Sequence, residues 1–335
     1  MEVNFDLTLI WAFLIAFAIY AYVALDGFDL GIGILFPFFP VGADRDQAMN
    51  SVAPVWDGNE TWLVLGGGGL FAAFPLAYAI LMTAFYPPII VMLLALVFRG
   101  VAFEFRWRDP GHRRFWDAAF CGGSFVAALM QGIVLGAMLQ GVEVEGRTYA
   151  GGWFDWLTPF SIMTGISVVI GYALLGATWL LWKTEGEAQE IARRFAWYGF
   201  VGTVGAIGAV SLATLFLDHT YYEKWFAFPG VIYTAQVPLV TAILCFGFLQ
   251  SMRGGREVWP FIISQVLFLV TLIGLGISIF PYAVPVALTI WDVAAPEKSQ
   301  IFMLVGAGTM VPIILAYTVY AYWVFRGKVG HEGYH

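Results

Sequence analysis

Residues Ser51–Pro75 read SVAPVWDGNETWLVLGGGGLFAAFP. Asp57, Asn59 and Glu60 stand between Trp56 and Trp62, and from Leu63 to Phe74 the chain is apolar and glycine-rich. This is a membrane helix opened by two acids. Carrying an acid to the centre of such a helix costs about 2.5–3.5 kcal/mol on insertion scales. Two explanations answer for the acids. One is an interfacial cap, with Asn59 or Asp57 accepting the first helical N–H groups. The other is a polar path entering the membrane here, which requires further acids at the same depth.

The rest of the chain sets the context for that choice. Of 335 residues, 60% are hydrophobic and 12% charged, about half the charged fraction of a soluble domain. The chain is expected to be an all-α polytopic membrane protein, a single integral-membrane domain over residues 1–335. Its net charge of −7 implies neither a nucleic-acid nor an acidic-ligand role, because the placement of the charges matters more than their sum. Cys121 and Cys245 sit far apart inside apolar runs, which argues against a disulfide framework. Met1–Asp6 carries no Lys or Arg and the first apolar run is too long for a signal h-region, so no cleavable signal peptide is expected.

About 20 apolar residues cross a hydrocarbon core, and nine runs qualify: Leu7–Phe36, Thr61–Thr83, Tyr86–Phe103, Trp116–Leu139, Thr158–Trp182, Phe195–Leu217, Val231–Met252, Trp259–Phe280 and Ile301–Phe325. Glycines at helical spacing, such as Gly199, Gly202, Gly205 and Gly208, and the run Gly66–Gly69, are expected to let helices approach closely. With the N-terminus outside, twelve of the 16 Lys and Arg residues fall on the inner side, among them Arg45, Arg106, Arg113, Lys183 and Lys328. Arg147, Lys224 and Lys298 fall outside, and Arg99 lies within a span. The positive-inside rule therefore predicts a periplasmic N-terminus and a cytoplasmic C-terminus.

On that topology Asp26 and Asp29, Asp57 and Glu60, and Arg99 with Glu104 all lie near the inner ends of the first three spans. Ionisable residues at membrane depth pair with one another or line a hydrated path. One reading is a staple in which Arg99 holds Asp29 or Glu104 and three helices pack around the pair, with Trp56 as structural support. The other is a proton pathway through Asp57, Asp29, Asp26 and Glu60, with Asp57 as its principal member. No catalytic residue and no metal site are expected in the chain. His112, His219, His331 and His335 all fall in loops or the tail, which makes a His-ligated intramembrane haem improbable.

At these residues the chain resembles a known family. DGFDLGIGILFPF (Asp26–Phe38), APVWDGNETWL (Ala53–Leu63) and FRGVAFEFR (Phe98–Arg106) are similar to subunit II of cytochrome bd-type quinol oxidases. The similarity runs on through GSFVAALMQGIVLG (Gly123–Gly136), FPYAVP (Phe280–Pro285), LTIWDVAAPEKSQ (Leu288–Gln300) and the closing VPIILAYTVYAYWVFRGKV. The last residues, FRGKVGHEGYH, resemble the cyanide-insensitive branch.

The resemblance implies nine helices, as two four-helix bundles plus a peripheral helix. It implies a heterodimer with a homologous subunit I holding haems b and d (or b in place of d), and a small accessory single-helix subunit in some members. The complex oxidises quinol and reduces dioxygen to water with cytoplasmic protons, electrogenically and without pumping, in the bacterial inner membrane. Subunit II carries no haem ligands, and in some members a structural quinone lies against it. By the same resemblance Asp57 belongs to a proton-uptake route with Asp29 beside it. Many members carry Asn–Gln where this chain has Asn59–Glu60, which leaves open whether Glu60 joins the route. The competing reading, a stand-alone proton-coupled transporter, would show inverted repeats and a midplane site. No such symmetry is visible in the sequence.

Overall fold

A computed structural model of the chain describes residues 6–330. The first helix, α1 (Leu7–Leu35), begins where Asp6 accepts the Leu9 N–H at 3.1 Å, a side-chain cap that also places a carboxylate at the positive helix end. Its 29 residues span about 44 Å at 1.5 Å per residue, more than a bilayer core. A short α2 (Ala43–Asn50) follows at the far end of α1.

The second expected span is broken. Helix α3 (Trp56–Ala73) starts earlier than the apolar run and stops at Phe74, where the backbone leaves helical geometry (φ −130°, ψ 61°) before α4 (Pro75–Ala84) begins. Pro75 supplies no N–H, and the residue before a proline is pushed out of the α region. The Ala73 carbonyl at the break accepts the Ala295 N–H at 2.8 Å. Two further prolines sit in the first turn of α5 (Tyr86–Arg108), which returns to the side where α3 began.

Helix α6 (Arg113–Gln140) leads to a small hairpin, β1 (Val144–Glu145) and β2 (Thr148–Tyr149), antiparallel with Val144 opposite Tyr149. Helix α7 (Pro159–Lys183) is opened by a reciprocal capping box between Thr158 and Ser161, with Pro159 at its first position. After α8 (Gly186–Thr214) come α9 (His219–Phe226), α10 (Val231–Thr234), α11 (Gln236–Arg253) and α12 (Trp259–Ile279). A second hairpin, β3 (Tyr282–Val284) with β4 (Leu288–Thr289), precedes α13 (Glu297–Val324). Among the described residues eight helical stretches are long and apolar enough to cross a membrane: α1, α5, α6, α7, α8, α10 with α11, α12 and α13.

Helix α1 is the centre of the packing, lying against α3, α6 and α7, while α5 pairs with α6 and α8 with α7. The close approaches are made by glycines, though mostly not those singled out in the sequence. A β-carbon at Gly31 would overlap the Tyr172 carbonyl, and one at Gly132 would stand 2.6 Å from the Gly165 Cα. Bare backbone is what lets α7 touch both α1 and α6. Of the α8 series, Gly199 and Gly202 do face α7, but Gly205 and Gly208 face open space, as do Gly67 and Gly68. Phe28 stacks on Trp179 at 4.3 Å in the largest apolar cluster.

Where α1, α5, α7 and α13 end together, an ion network holds the short elements. Asp117 accepts from Arg45 (2.9 Å) and Arg106 (2.5 Å), and Asp46 pairs with Arg106 (2.8 Å) and Arg113. The tail after α13 lies across the same end. The Val329 N–H donates to the Lys183 carbonyl at 2.8 Å, and Lys328 pairs with Glu257 at 2.8 Å.

Candidate functional site: a buried arginine among carboxylates

Asp26 and Asp29 are three residues apart on α1 and so share a face. They lie twenty or more residues into the helix, and neither side chain is exposed at all. Arg99 projects from α5 into the same place, equally closed to solvent. Its Nη2 is 2.8 Å from Asp26 Oδ1 and 3.6 Å from Asp29 Oδ2, and its Nη1 is 3.6 Å from Glu60 Oε2. Three helices therefore contribute to one polar cluster.

Aromatic rings enclose the cation. Trp56 stacks on Phe103 at 4.7 Å with an interplanar angle of 8°, and the guanidinium carbon lies 5.7 Å from the centroid of each ring. The ring faces supply partial negative charge where water is excluded. Trp56 is thus a wall of the site.

Asn59 ties the cluster to the last helix. Its Nδ2 donates to Asp29 Oδ2 at 2.8 Å, and its Oδ1 accepts from the Tyr322 hydroxyl of α13 at 2.9 Å. The capping explanation is therefore corrected. The residue before α3 is Val55, without a side-chain cap bond, and Asn59 is buried against α1 because it lies a full turn inside the helix.

Asp57, in contrast, is exposed on the first turn of α3, one turn ahead of Glu60, whose side chain is 27% exposed. The acids run from an exposed position on this chain to full burial within one helix and its neighbour. Glu104 does not belong to this set. It is exposed and pairs with Arg108 at 3.2 Å, so Arg99 takes Asp26 as its nearest partner, with Asp29 and Glu60 beyond. Five residues along an α-helix turn about 140° away, which puts Glu104 on the other side of α5 from Arg99.

Several participants have no counterpart in the sequence reading. Tyr22, one turn before Asp26 on α1, faces that carboxylate. Its hydroxyl accepts from Gln131 Nε2 of α6 at 2.7 Å, and Gln131 Oε1 accepts from the Tyr172 hydroxyl of α7 at 2.8 Å. The available signal was a lone glutamine in the middle of an apolar span. Asp46 and Asp117 were likewise invisible as partners of the inner arginines.

Among the described residues no group of three metal-ligating side chains occurs. His112 and His219 are exposed at helix starts, beside Asp109 and Glu223 respectively, so neither is directed into the membrane interior.

Residues 7–325 match the family model described as cytochrome bd terminal oxidase subunit II. The chain belongs to that family. Relatives include the cytochrome bd-I ubiquinol oxidase subunit 2 of Escherichia coli, 31% identical over 97% of this chain and 96% of its own length. The cytochrome bd ubiquinol oxidase subunit 2 of Bacillus subtilis is 28% identical over 96% of this chain and 97% of its own. The bd oxidase structure from Geobacillus thermodenitrificans shares the fold, with a TM-score of 0.76 at 18% identity over 96% of this chain and 99% of the other. As a bd oxidase subunit II the chain is part of a terminal oxidase, an oxidoreductase complex of the respiratory chain. Its apolar helices make it a multi-pass protein of the bacterial inner membrane.

Proposed function

We propose that this bd oxidase subunit II carries protons from the cytoplasmic side toward a haem site held by subunit I, and that it holds no haem itself. The observation that carries the proposal is the graded burial of the acids: Asp57 exposed, Glu60 partly exposed, Asp29 and Asp26 closed, with Arg99 touching the last three. A carboxylate at the mouth collects protons from water, and carboxyls behind it can pass them inward. An ion-pair staple accounts for Glu60 as a partner of Arg99 but would not need Asp57 at the open end.

The complex so described oxidises quinol and reduces dioxygen, with haems b and d (or b in place of d) in subunit I and a small accessory subunit as a further partner. His112 and His219, exposed beside Asp109 and Glu223, are compatible with haem ligation elsewhere; His331 and His335 lie outside the described residues. Nine crossings follow if α3 with α4 is counted as one, with the N-terminus periplasmic and the C-terminus cytoplasmic. The convergence of Arg45, Arg106, Arg113, Lys183 and Lys328 at one end supports that orientation. The two four-helix bundles of this reading are α1, α3, α5 and α6, and α7, α8, α11 and α12, with α13 peripheral; the pairings of α1 with α3, α5 with α6, α7 with α8 and α11 with α12 fit it. A stand-alone transporter would share the acids but not the family membership.

The test is the reconstituted oxidase carrying Asp57→Asn, with haem content verified. Quinol-driven oxygen consumption and voltage generation should fall together. Wild-type values for both in the loaded variant would remove Asp57 from the route.

A further inference from the structure

Helix α13 is the least embedded of the long helices in this chain. Among its described residues only Gln300 is buried, near its start, where Trp11 Nε1 donates to the Gln300 carbonyl at 3.2 Å. Its last turn is held differently. Tyr322 lies edge-on to Trp179 at 6.0 Å, and its hydroxyl donates to Asn59 Oδ1 at 2.9 Å. Asn59 in turn donates to Asp29. Where the helix stops, at Phe325, the chain crosses the end of α7.

Lys183, the last residue of α7, grips that crossing. Its Nζ donates to the Phe325 carbonyl at 2.7 Å and to the Gly327 carbonyl at 3.2 Å. The ammonium also stands 5.0 Å from the ring centroid of Trp179 and 4.9 Å from that of Trp182. Lys183 is 3% exposed, so carbonyls and ring faces take the place of its water. Phe325 closes α13, and one cation therefore sits at the C-terminal ends of two helices, where carbonyls are left over and the macrodipole is negative. The Val329 N–H donates back to the Lys183 carbonyl at 2.8 Å, and the Val329 carbonyl accepts from Gln47 Nε2 of α2 at 2.5 Å. On the side of the crossing segment these are main-chain contacts. They fix the path of the chain.

A buried lysine is a poor choice for stability alone, because an apolar side chain would pack on Trp179 and Trp182 without desolvating a charge. What the ammonium adds is a fixed end point for α13, three residues past Tyr322. Trp179 is the ring that Tyr322 packs on, and it also stacks on Phe28, the neighbour of Asp29. The grip and the acid cluster thus share Trp179 and Tyr322.

We propose that residues 325–329 are a strap that seats α13, and that Lys183 is a positioning residue for the acid cluster, acting through Tyr322 on Asn59 and so on Asp29. The positioning role rests on the proton-uptake reading of that cluster; the strap does not.

The test uses the purified, haem-loaded complex, with a chain ending at Gly330 as the reference because it keeps every strap contact. Lys183→Met leaves a stem between the tryptophans but no donor, and a chain ending at Arg326 removes the Gly327 and Val329 contacts. In both, residues 318–326 should lose protection from hydrogen exchange while residues 26–32 of α1 keep theirs. Turnover per haem with a short-chain quinol should fall about two- to tenfold, as for one hydrogen bond lost at the site, with the KM for quinol unchanged. Lys183→Arg, which keeps the charge and can donate to both carbonyls, should restore protection and turnover. Added to Tyr322→Phe, Lys183→Met should lower turnover no further, since both act through the same hydroxyl.

Unchanged protection of residues 318–326 in both variants overturns the strap. Normal turnover in a variant that has lost this protection, or a further loss in the double variant, overturns the positioning role. So does a failure of both variants to assemble with haem, which would make the strap an assembly element only. Normal turnover in Asp29→Asn removes the uptake reading instead, and the exchange result still decides the strap.

Discussion

Arg99 on α5 and Asp26 on α1 meet at 2.8 Å with neither side chain open to solvent. A pair this deep gains little net stability over well-packed apolar residues, but breaking it leaves an uncompensated charge, at a cost of about 3–5 kcal/mol. Arg99→Leu is therefore expected to strand Asp26 and to reduce the yield of assembled, haem-bearing complex more than turnover per haem. The check is haem content per mass of membrane protein beside the specific rate. Normal assembly with selectively lost turnover would make Arg99 part of the transfer path.

Tyr322 connects the last helix to the site through Asn59. Tyr322→Phe leaves the Asn59 oxygen buried and unpaired, which costs about 1–3 kcal/mol. The thermal unfolding midpoint of the purified complex should fall accordingly. An unchanged midpoint would show that this bond contributes nothing to holding α13 in place.

The glycine contacts sort into two classes. Gly31→Ala forces a methyl into the backbone of α7 and is expected to destabilise by at least the 1–3 kcal/mol typical of overpacking. Gly205→Ala and Gly208→Ala meet open space in this chain and should leave its stability unchanged or slightly raised. Expression level and detergent stability of the three variants compare them directly.

The helical, multi-span character of the chain was legible in the sequence because span length is a one-dimensional signal. Asp26, Asp29, Asp57, Glu60 and Arg99 were found for the same reason, as charges in apolar runs. The pairing was not legible, since it depends on which helix faces which. Glu104 is close to Arg99 in sequence but on the opposite face of α5, whereas Asp26 is distant in sequence and in contact. The break at Phe74 lay inside an apolar run, where Pro75 was its only mark in the sequence. Tyr22, Gln131 and Tyr172 become a branch only when α1, α6 and α7 are brought together by glycine contacts.

The tail offers a pH test. Lys328 and Gln189 hydrogen-bond Glu257, the Lys328 bond dominating, and hold its carboxyl below the ordinary glutamate range. A carboxyl whose value is lowered on folding contributes stability that is present above its unfolded value and lost as the pH falls through the folded one. The Val329 N–H should thus exchange with solvent faster as the pH drops below the usual glutamate range, once intrinsic exchange is allowed for. Because both partners are about a third exposed, Lys328→Ala should cost no more than about 1 kcal/mol. A pH-independent protection of Val329 would separate the tail from this ion pair.

Orientation is checked by labelling. Gly111→Cys, beside the inner arginines, should react with an impermeant thiol reagent only in opened membranes, and Arg147→Cys, in the exposed β1–β2 hairpin, in intact cells. The reverse pattern would move the acids to the wrong side of the membrane.

The central claim is that protons for dioxygen reduction pass through the carboxyls of this chain, and Asp29→Asn tests it most directly. The amide keeps the shape and the bond from Asn59 but cannot load a proton. In haem-loaded oxidase reconstituted into vesicles, quinol-driven oxygen consumption and the voltage it generates should fall together by at least tenfold, which corresponds to about 1.4 kcal/mol of added barrier. Wild-type turnover and voltage in that variant would contradict the account and leave the cluster as a staple between helices.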